Sequence, residues 1–313
     1  MDTLKIAVLY GGVSKEREVS ISSSKGIIDA LKKNGHDVVA IDFHPERLHE
    51  IIELKVDLVF IALHGKFGED GSVQGLLDML NIPYVGSGVL ASALAMDKYK
   101  AKQLFESVNI PTAKGKLYRI MDTTDVTEIV EDIVNNFSVP FVIKPNREGS
   151  TVGLTIVKKH DEINEAIERA TESDEYILVE QFIKGKELTV PVLGKMNEET
   201  ALPIIEIIPK NELYDYESKY SEGGSEHIIP ARISDELTEQ IQNYAVRAHQ
   251  ALGCETYSRA DFLLTDDGKP YILEVNTLPG MTPTSLFPDS AKAVNMSYEE
   301  MVEKLVQLTV EQR

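Results

Sequence analysis

The stretch PYILEVNTLPGM, residues 270–281, ends a predicted strand on polar side chains. Because side chains alternate between the two faces of a strand, Glu274 and Asn276 point the same way. Carboxylate and amide oxygens are the ligands that hard divalent cations such as Mg²⁺ prefer. The spacing therefore predicts a metal site at the end of this strand.

The segment before it supplies a partner strand. SRADFLL and the dipeptide Asp267-Gly268 predict a hairpin with a two-residue turn. In that register Asp261 faces Glu274 and Arg259 faces Asn276. The opposite face is expected to be apolar and to carry Ala260, Phe262, Leu264, Tyr271, Leu273 and Val275.

Two carboxylates at about 5 Å repel each other by roughly 3 kcal/mol at an effective dielectric of about 20. A divalent cation would turn that cost into a binding site, and an all-oxygen set suits Mg²⁺ or Mn²⁺ better than zinc. The alternative is an acidic surface hairpin whose repulsion Arg259 relieves.

Two further segments have the composition of a nucleotide site. FVIKPNREGSTVG ends a strand on Lys144 and continues into a loop with Gly149, Ser150 and Gly153, where backbone N–H groups can approach phosphate oxygens. It is not a Walker A loop, and an ordinary hairpin loop is the alternative. In ILVEQFIKGKEL, Glu180 and Glu187 flank a connector between two units, where a crevice would suit a planar base. A solvated charge pair is the alternative there.

These segments need a scaffold of several units. Residues 1–96 alternate strands and helices, which predicts an open parallel sheet with loops at the carboxyl ends of its strands. The dinucleotide-binding motif G-x-G-x-x-G is missing after the first strand, which counts against the hypothesis of a nicotinamide-dependent oxidoreductase. We expect one helix over about residues 90–107, then two α+β units. Ser234 and Gly253 are typical cap residues and predict a further helix over residues 234–252. The polar segment LYDYESKY is expected to form a lid or binding loop, although packing tyrosines are an alternative.

The bulk composition narrows the function further. The 313 residues carry a formal net charge of −19, which argues against nonspecific binding to nucleic acid. No apolar run approaches the roughly 18 residues needed to span a bilayer, so no membrane insertion is expected. The single cysteine, Cys254, excludes an intrachain disulfide and fits a cytoplasmic location.

The chain resembles the ATP-grasp superfamily and, within it, the D-alanine–D-alanine ligases. The matching stretches, which together extend over the whole chain, are GGVSKEREVSISS, LHGKFGEDGSVQG, MDKYKAK, VIKPNREGSTVG, YDYESKY, SRADF and LEVNTLPGMTPTSL. The resemblance implies an N-terminal Rossmann-like substrate domain (1–96), a central ATP-grasp lobe (97–183) and a C-terminal lobe with lid loop and metal site (184–313). It also implies a homodimer.

The family's activity is implied in the same way. The carboxylate of one D-alanine attacks the γ-phosphate of ATP, and the amine of a second D-alanine displaces phosphate from the acylphosphate. The product, D-alanyl-D-alanine, is a peptidoglycan precursor, so the expected role is in cell-wall biogenesis and cell shape.

Site residues follow from the resemblance by position. It implies catalytic roles for Glu16, Ser150, Tyr220, Arg259 and the backbone N–H of Gly280, and substrate contacts for His64, Ser285 and Leu286. ATP would be bound by Lys98, Lys144, Glu180, Gln181, Phe182, Ile183, Glu187 and Lys219. Two Mg²⁺ or Mn²⁺ ions would be held by Asp261, Glu274 and Asn276.

Two departures bear on specificity. Phe182 stands where relatives often have tryptophan, which predicts weaker contact with the base. Tyr220 stands where depsipeptide-forming relatives have phenylalanine, which favours a dipeptide product. The alternatives that remain are a D-alanine–D-lactate ligase, another ATP-grasp carboxylate–amine ligase, the oxidoreductase, and a non-catalytic nucleotide sensor.

Overall fold

The computed structural model describes residues 2–121, 123–209 and 224–312, and these residues form three sheets packed with helices. The first is parallel, with strand order β2-β1-β3-β4. Its strands are Lys5–Gly11 (β1), Asp37–Phe43 (β2), Leu58–Ile61 (β3) and Tyr84–Val85 (β4). The helices of this part are Arg17–Lys33 (α1), His49–Ile52 (α2) and Ser72–Met79 (α3), with a 3₁₀ turn at Pro45–Arg47. The predicted open parallel sheet is confirmed.

The loops after β1 and β3 leave the same edge of this sheet. β3 is fully buried and β1 nearly so, as expected of strands with helices on both faces. Gly11 and Gly12 have φ of 85° and 78°, which lets the chain turn sharply out of β1. The turn carries Glu16 towards the loop that follows β3 and holds His64.

The expected helix over 90–107 is wrong as a single element. The chain forms Val89–Met96 (α4) and Lys98–Ser107 (α5). Asp97 interrupts them because it adopts an extended conformation and its side chain accepts the N–H of Lys100 at 3.0 Å, which caps α5.

The second sheet is antiparallel, with order β5-β8-β6-β7. Its strands are Gly115–Arg119 (β5), Phe141–Pro145 (β6), Thr155–Val157 (β7) and Tyr176–Gln181 (β8). Helices Val126–Asn136 (α6) and Ile163–Thr171 (α7), the latter after a 3₁₀ turn at His160–Glu162, cover it around a separate apolar core.

The third sheet has order β12-β11-β9-β13-β14, with β10 paired to β9. Its strands are Lys186–Gly194 (β9), Thr200–Ala201 (β10), Ile205–Pro209 (β11), Ser225–Ile228 (β12), Thr256–Leu264 (β13) and Pro270–Asn276 (β14). The helices in this part of the chain are Asp235–Leu252 (α8), Leu286–Ala293 (α9) and Tyr298–Gln312 (α10). The predicted ends of α8 are confirmed, since Ser234 caps it through the N–H of Leu237 and Gly253 ends it at φ 73°.

The first and third sheets are joined through shared apolar cores, whereas the core of the second sheet is separate. Ala101 and Phe105 of α5 pack with the apolar face of β9 and β13, and Met301 and Leu305 of α10 pack with the parallel sheet. The domain boundaries after residues 96 and 183 stay predictions. Among the described residues, none of the helices combines the length and the hydropathy of a membrane span.

The β13–β14 hairpin differs from its prediction at two points. The turn has three residues, 266–268, because Gly268 adopts φ 80° and the N–H of Thr265 donates to the carbonyl of Lys269 at 3.1 Å. Further along, Phe262 pairs with Ile272 whereas Asp261 pairs with Glu274, so Leu273 is an extra residue in a β-bulge.

These two register changes cancel. The predicted pairs of Asp261 with Glu274 and Arg259 with Asn276 are confirmed. The predicted apolar face is wrong in β14, where Ile272 is buried in the core instead of Tyr271 and Leu273. Because of the bulge, the side chain of Leu273 does not pack into the core. Leu273 instead lines a cleft beside Glu274.

Candidate active site

A cleft with an empty volume of about 1140 Å³ lies between the second and third sheets. Its walls include apolar side chains from both, among them Val142, Ile156, Leu188 and Leu273. Seven residues predicted to bind ATP line this cleft: Lys98, Lys144, Glu180, Gln181, Phe182, Ile183 and Glu187. Asp261 and Glu274 line it as well. The eighth predicted residue, Lys219, lies outside the described residues.

The strand register explains why these side chains meet. In the antiparallel pair of β6 and β8, Lys144 pairs with Leu178 and Glu180 pairs with Val142, so Lys144 and Glu180 are diagonal neighbours on one face of the sheet. The connector that follows β8 crosses to β9 in four residues, 182–185, so Phe182 and Ile183 are held between the two sheets. A cleft with apolar walls and several charged side chains is a suitable site for a nucleotide.

Glu180 is the most buried carboxylate of the cleft. Its side chain is ion-paired with Lys144 and, at 2.5 Å, with Lys102. Burial alone would raise the pKa of Glu180, but the two ammonium groups outweigh it and lower that pKa to about 2. The carboxylate is therefore charged at any physiological pH. Sequence reasoning missed Lys102, although its position one turn after Lys98 in MDKYKAK puts both lysines on one helix face.

Lys98 lies at the start of α5 beside the glycine-rich loop. Its Nζ is 2.9 Å from Glu274 Oε2 and donates to the carbonyl of Glu148 at 2.8 Å. Burial opposes protonation of Lys98, yet the neighbouring carboxylates, Glu274 first, raise its pKa. Asn146 fixes the helix start, since its carbonyl accepts the N–H of Lys98 and its side chain that of Tyr99.

The glycine-rich loop has unusual backbone angles. Ser150 and Thr151 adopt φ of 51° and 64°, and Gly153 adopts 72°. A Cβ at Gly153 would lie 2.8 Å from Pro145 Cγ, so only glycine fits there without displacement. The loop lies against both the cleft and a second cavity, because Gly149 and Ser150 line each of them.

The second cavity has an empty volume of about 640 Å³ and a more polar lining. It brings together the described residues that were predicted to bind or activate substrate: Glu16, His64, Ser150, Arg259, Gly280, Ser285 and Leu286. Tyr220, the remaining member of the set, lies outside the described residues. Ser150 Oγ donates to Glu16 Oε1 at 2.5 Å, which joins the loop after β1 to the glycine-rich loop.

The expected metal ligands lie together on the outer face of the β13–β14 hairpin. Asp261 accepts hydrogen bonds from Arg259 at 2.9 and 2.8 Å, from Thr189 at 2.5 Å and from the amide of Asn276 at 3.0 Å. Glu274 is paired with Lys98. Each carboxylate thus has a cation of the chain beside it, which offsets their mutual repulsion.

The donor set suits a hard cation, since two carboxylates and one amide converge from adjacent strands. Within residues 2–121, 123–209 and 224–312, no group of three or more histidine, cysteine, aspartate or glutamate side chains is arranged to hold a metal. Mg²⁺ commonly needs only one or two protein carboxylates beside substrate phosphates, so the residues fit an ion bound together with nucleotide.

Two titratable groups of the second cavity have shifted pKa values. Burial lowers the pKa of His64, and Glu16 only partly opposes this, so its imidazole is neutral. Burial, with the nearby charge of Glu16, raises the pKa of Glu69 to about 8. Glu69 accepts the N–H of Gly65 at 2.6 Å. Sequence reasoning missed Glu69, although it lies in the same LHGKFGEDG segment as His64.

His227 is a second missed residue at this cavity. Its Nδ1 lies 2.8 Å from Asp289 Oδ2 on α9, and its Nε2 lies 3.2 Å from Ser225 Oγ. No sequence motif connected β12 with α9, and only the packing of the third sheet brings His227 to the same cavity as Ser285 and Leu286.

Known proteins share this architecture and sequence. A family model described as "D-ala D-ala ligase C-terminus" matches residues 104–307, and one described as "D-ala D-ala ligase N-terminus" matches residues 5–51 and 46–87. The chain belongs to the D-alanine–D-alanine ligase family.

Individual relatives of the family are similar over nearly their whole length. A D-alanine–D-alanine ligase of Halalkalibacterium halodurans is 58% identical, with 98% of this chain and 99% of that protein covered. One of Geotalea uraniireducens is 49% identical, with 98% and 96% covered.

Solved structures of the family agree with the fold. A D-alanine–D-alanine ligase of Bacillus anthracis complexed with ATP has a TM-score of 0.85 and is 33% identical, with 99% and 98% of the two chains covered. The VanG D-Ala:D-Ser ligase of Enterococcus faecalis has a TM-score of 0.84 and is also 33% identical, with 98% and 100% covered. The ATP-grasp fold expected from the sequence is thereby confirmed.

Proposed function

We propose that the chain joins two D-alanine molecules into D-alanyl-D-alanine at the expense of ATP, releasing ADP and phosphate, for peptidoglycan precursor synthesis. The observation that carries this proposal is the meeting of two cavities at one loop. Gly149 and Ser150 line both the nucleotide cleft and the polar second cavity. A phosphoryl group held at this loop would be in reach of a carboxylate in the second cavity.

In the first step the terminal phosphate of ATP passes to the carboxylate of the first D-alanine. Phosphoryl transfer needs positioning and charge neutralisation more than covalent help from the protein. Lys144 and Lys98 supply positive charge at the cleft, and the glycine-rich loop supplies backbone donors. Glu16 carries a carboxylate into the second cavity and is the group we assign to the ammonium of the first substrate.

In the second step an amine attacks the carbonyl of the acylphosphate. The oxygen of that carbonyl gains negative charge and needs donors aimed at it. We assign the Arg259 guanidinium and the N–H of Gly280 to that oxygen, because both line the second cavity. Ser285, whose Oγ accepts the N–H of Thr282 at 3.0 Å, is assigned to the carboxylate of the incoming D-alanine together with Leu286.

The proposal includes two Mg²⁺ or Mn²⁺ ions bound together with ATP. Asp261, Glu274 and Asn276 would hold them, and they would neutralise charge on the phosphates. Lys98 and Arg259, which are paired with the two carboxylates, would then be available to substrate oxygens.

A related second function differs only in the nucleophile. The structurally similar VanG protein is named a D-Ala:D-Ser ligase, whereas the curated relatives that are 45 to 58% identical are named D-alanine–D-alanine ligases. The higher identity favours D-alanine as the second substrate.

Tyr220→Phe is expected to lower dipeptide synthesis and to allow measurable D-alanyl-D-lactate formation. Product analysis with D-alanine and D-lactate in competition measures both effects.

The proposal extends to location and assembly. Cytoplasmic action is supported by ATP as a substrate and by Cys254, which is buried and free. A homodimer is proposed from the resemblance, and sedimentation would test it.

Phosphate release from ATP with a panel of D- and L-amino acids tests the central proposal. ADP formation that requires D-alanine, with D-alanyl-D-alanine identified by mass spectrometry, is the expected result. ADP formation with D-serine or with an L-amino acid at a higher kcat/KM would overturn the assignment of substrate.

A further inference from the structure

Lys102 is a buried lysine next to the nucleotide cleft that no step above uses. It lies on α5, is 4% exposed, and does not contribute to the described lining of the cleft. Its ammonium donates to Glu180 Oε1 at 2.5 Å and to Thr112 Oγ1 at 2.8 Å. A buried ammonium is expensive unless it is paired, so this position needs an explanation.

Glu180 is shared between two lysines with different surroundings. Lys102 approaches it from the protein interior, and Lys144 approaches it from the cleft, which Lys144 lines. Two ammonium groups and one carboxylate leave one positive charge in excess. One lysine can therefore leave without stranding Glu180.

The surroundings decide which lysine can leave. Thr112, the second partner of Lys102, donates its own hydroxyl to the carbonyl of Ile272 at 3.1 Å and forms an isolated bridge with that residue. Lys102 is thus tied to β14, the strand that carries Glu274. Lys144 lies near the end of β6 and lines the cleft, where a triphosphate would compete for its ammonium.

We propose that Lys102 is a positioning residue for nucleotide binding, which neutralises Glu180 so that Lys144 can exchange that carboxylate for phosphate oxygens of ATP. Without Lys102, the exchange would leave a buried carboxylate unpaired, and Lys144 would stay with Glu180. Lys102 therefore acts on ATP through Glu180 and Lys144 and does not touch the nucleotide.

This inference rests on the proposed function, because it takes the cleft as the ATP site. The test is calorimetric titration of the full chain with ATP and Mg²⁺, together with steady-state kinetics. Lys102→Met should raise the Kd for ATP about tenfold or more, while kcat at saturating ATP stays within about threefold. Lys102→Arg, which keeps the charge, should restore most of the affinity.

A paired variant separates neutralisation from mere packing. Glu180→Gln removes the carboxylate, so adding Lys102→Met to it should change the Kd for ATP by less than about threefold. This double variant also removes both buried charges together, and it supplies the answer if Lys102→Met alone does not fold. Lys100→Met on the exposed face of the same helix is the matched control and should bind ATP as the parent does.

Two results would overturn the inference. One is a Kd for ATP of Lys102→Met within about twofold of the parent. The other is a loss on the Glu180→Gln background as large as the loss on the parent background. Failure of the parent to bind ATP or to form dipeptide would instead refute the proposed function, so the two failures are distinguishable.

Discussion

The hydrogen bond between Ser150 and Glu16 joins parts of the chain that are 134 residues apart. Ser150 lies in the glycine-rich loop and Glu16 in the loop after β1, and both line the second cavity. Replacing Ser150 by alanine removes the donor and leaves the backbone requirement unchanged, because alanine faces the same cost at φ 51° as serine. We expect Ser150→Ala to fold and to lose activity.

The size of the loss follows from the geometry. A hydroxyl that donates to a carboxylate at 2.5 Å is a charge-assisted hydrogen bond, and Ser150 is only 9% exposed. Such bonds contribute about 1.5–3 kcal/mol. Since about 1.4 kcal/mol is a factor of ten, kcat/KM for D-alanine should fall roughly 10- to 150-fold.

The assay for this loss measures ADP release at saturating ATP as a function of D-alanine concentration. Ser107→Ala is the matched control, because its exposed hydroxyl donates only to the carbonyl of Leu104 within α5. It should leave kcat/KM within about twofold. Glu16→Gln, alone and combined with Ser150→Ala, completes a double-mutant cycle.

The reasoning would be refuted by a cycle with no coupling between the two sites. It would also be refuted if Ser150→Ala kept kcat/KM within about twofold of the parent. Either result would mean that the hydrogen bond between Ser150 and Glu16 does not contribute to turnover and that packing alone holds the two loops in place.

Three other predictions concern the cleft and the core. Glu274→Gln should keep the fold but cut Mg²⁺-dependent turnover by about two orders of magnitude or more, since it removes a charged oxygen beside the phosphates. Near-parental turnover at ordinary Mg²⁺ would mean that the hairpin is an acidic surface and not a metal site. Lys144→Ala should weaken ATP binding measured by calorimetry by about tenfold or more with little change in thermal stability, and unchanged affinity would remove it from the site. Burial lowers the pKa of His249 to about 4 from 6.5, so the unfolded chain binds the extra proton between these values and stability falls as the pH drops from about 6.5 to about 4. His249→Gln should reduce that fall by about 3 kcal/mol in urea denaturation, whereas an unchanged pH dependence would assign the loss to other groups.

Local rules were sufficient for most elements. The alternation of β1, β2 and β3 with helices predicted the parallel sheet, and the caps at Ser234 and Gly253 predicted both ends of α8. Each of these signals depends on residues within a few positions of one another. These signals can therefore be recognised in the sequence without knowledge of the tertiary packing.

Local rules also failed in identifiable places. Asp267-Gly268 is compatible with a two-residue turn and with the three-residue turn that forms, and the sequence does not distinguish them. The bulge at Leu273 depends on which side chain the core accepts, and the core accepts Ile272. The break at Asp97 could have been predicted from its capping side chain.

For the candidate site, the sequence determined the chemical groups and their order, and the tertiary structure decided which of them meet. Strand alternation places Glu274 and Asn276 on one face because neighbouring residues fix it. The pairing of Glu180 with Lys102 joins α5 to β8, and that of Ser150 with Glu16 joins two sheets. These contacts depend on the packing of helices and strands that are far apart in the chain. Burial of many distant apolar side chains determines that packing, and no single position in the sequence records it.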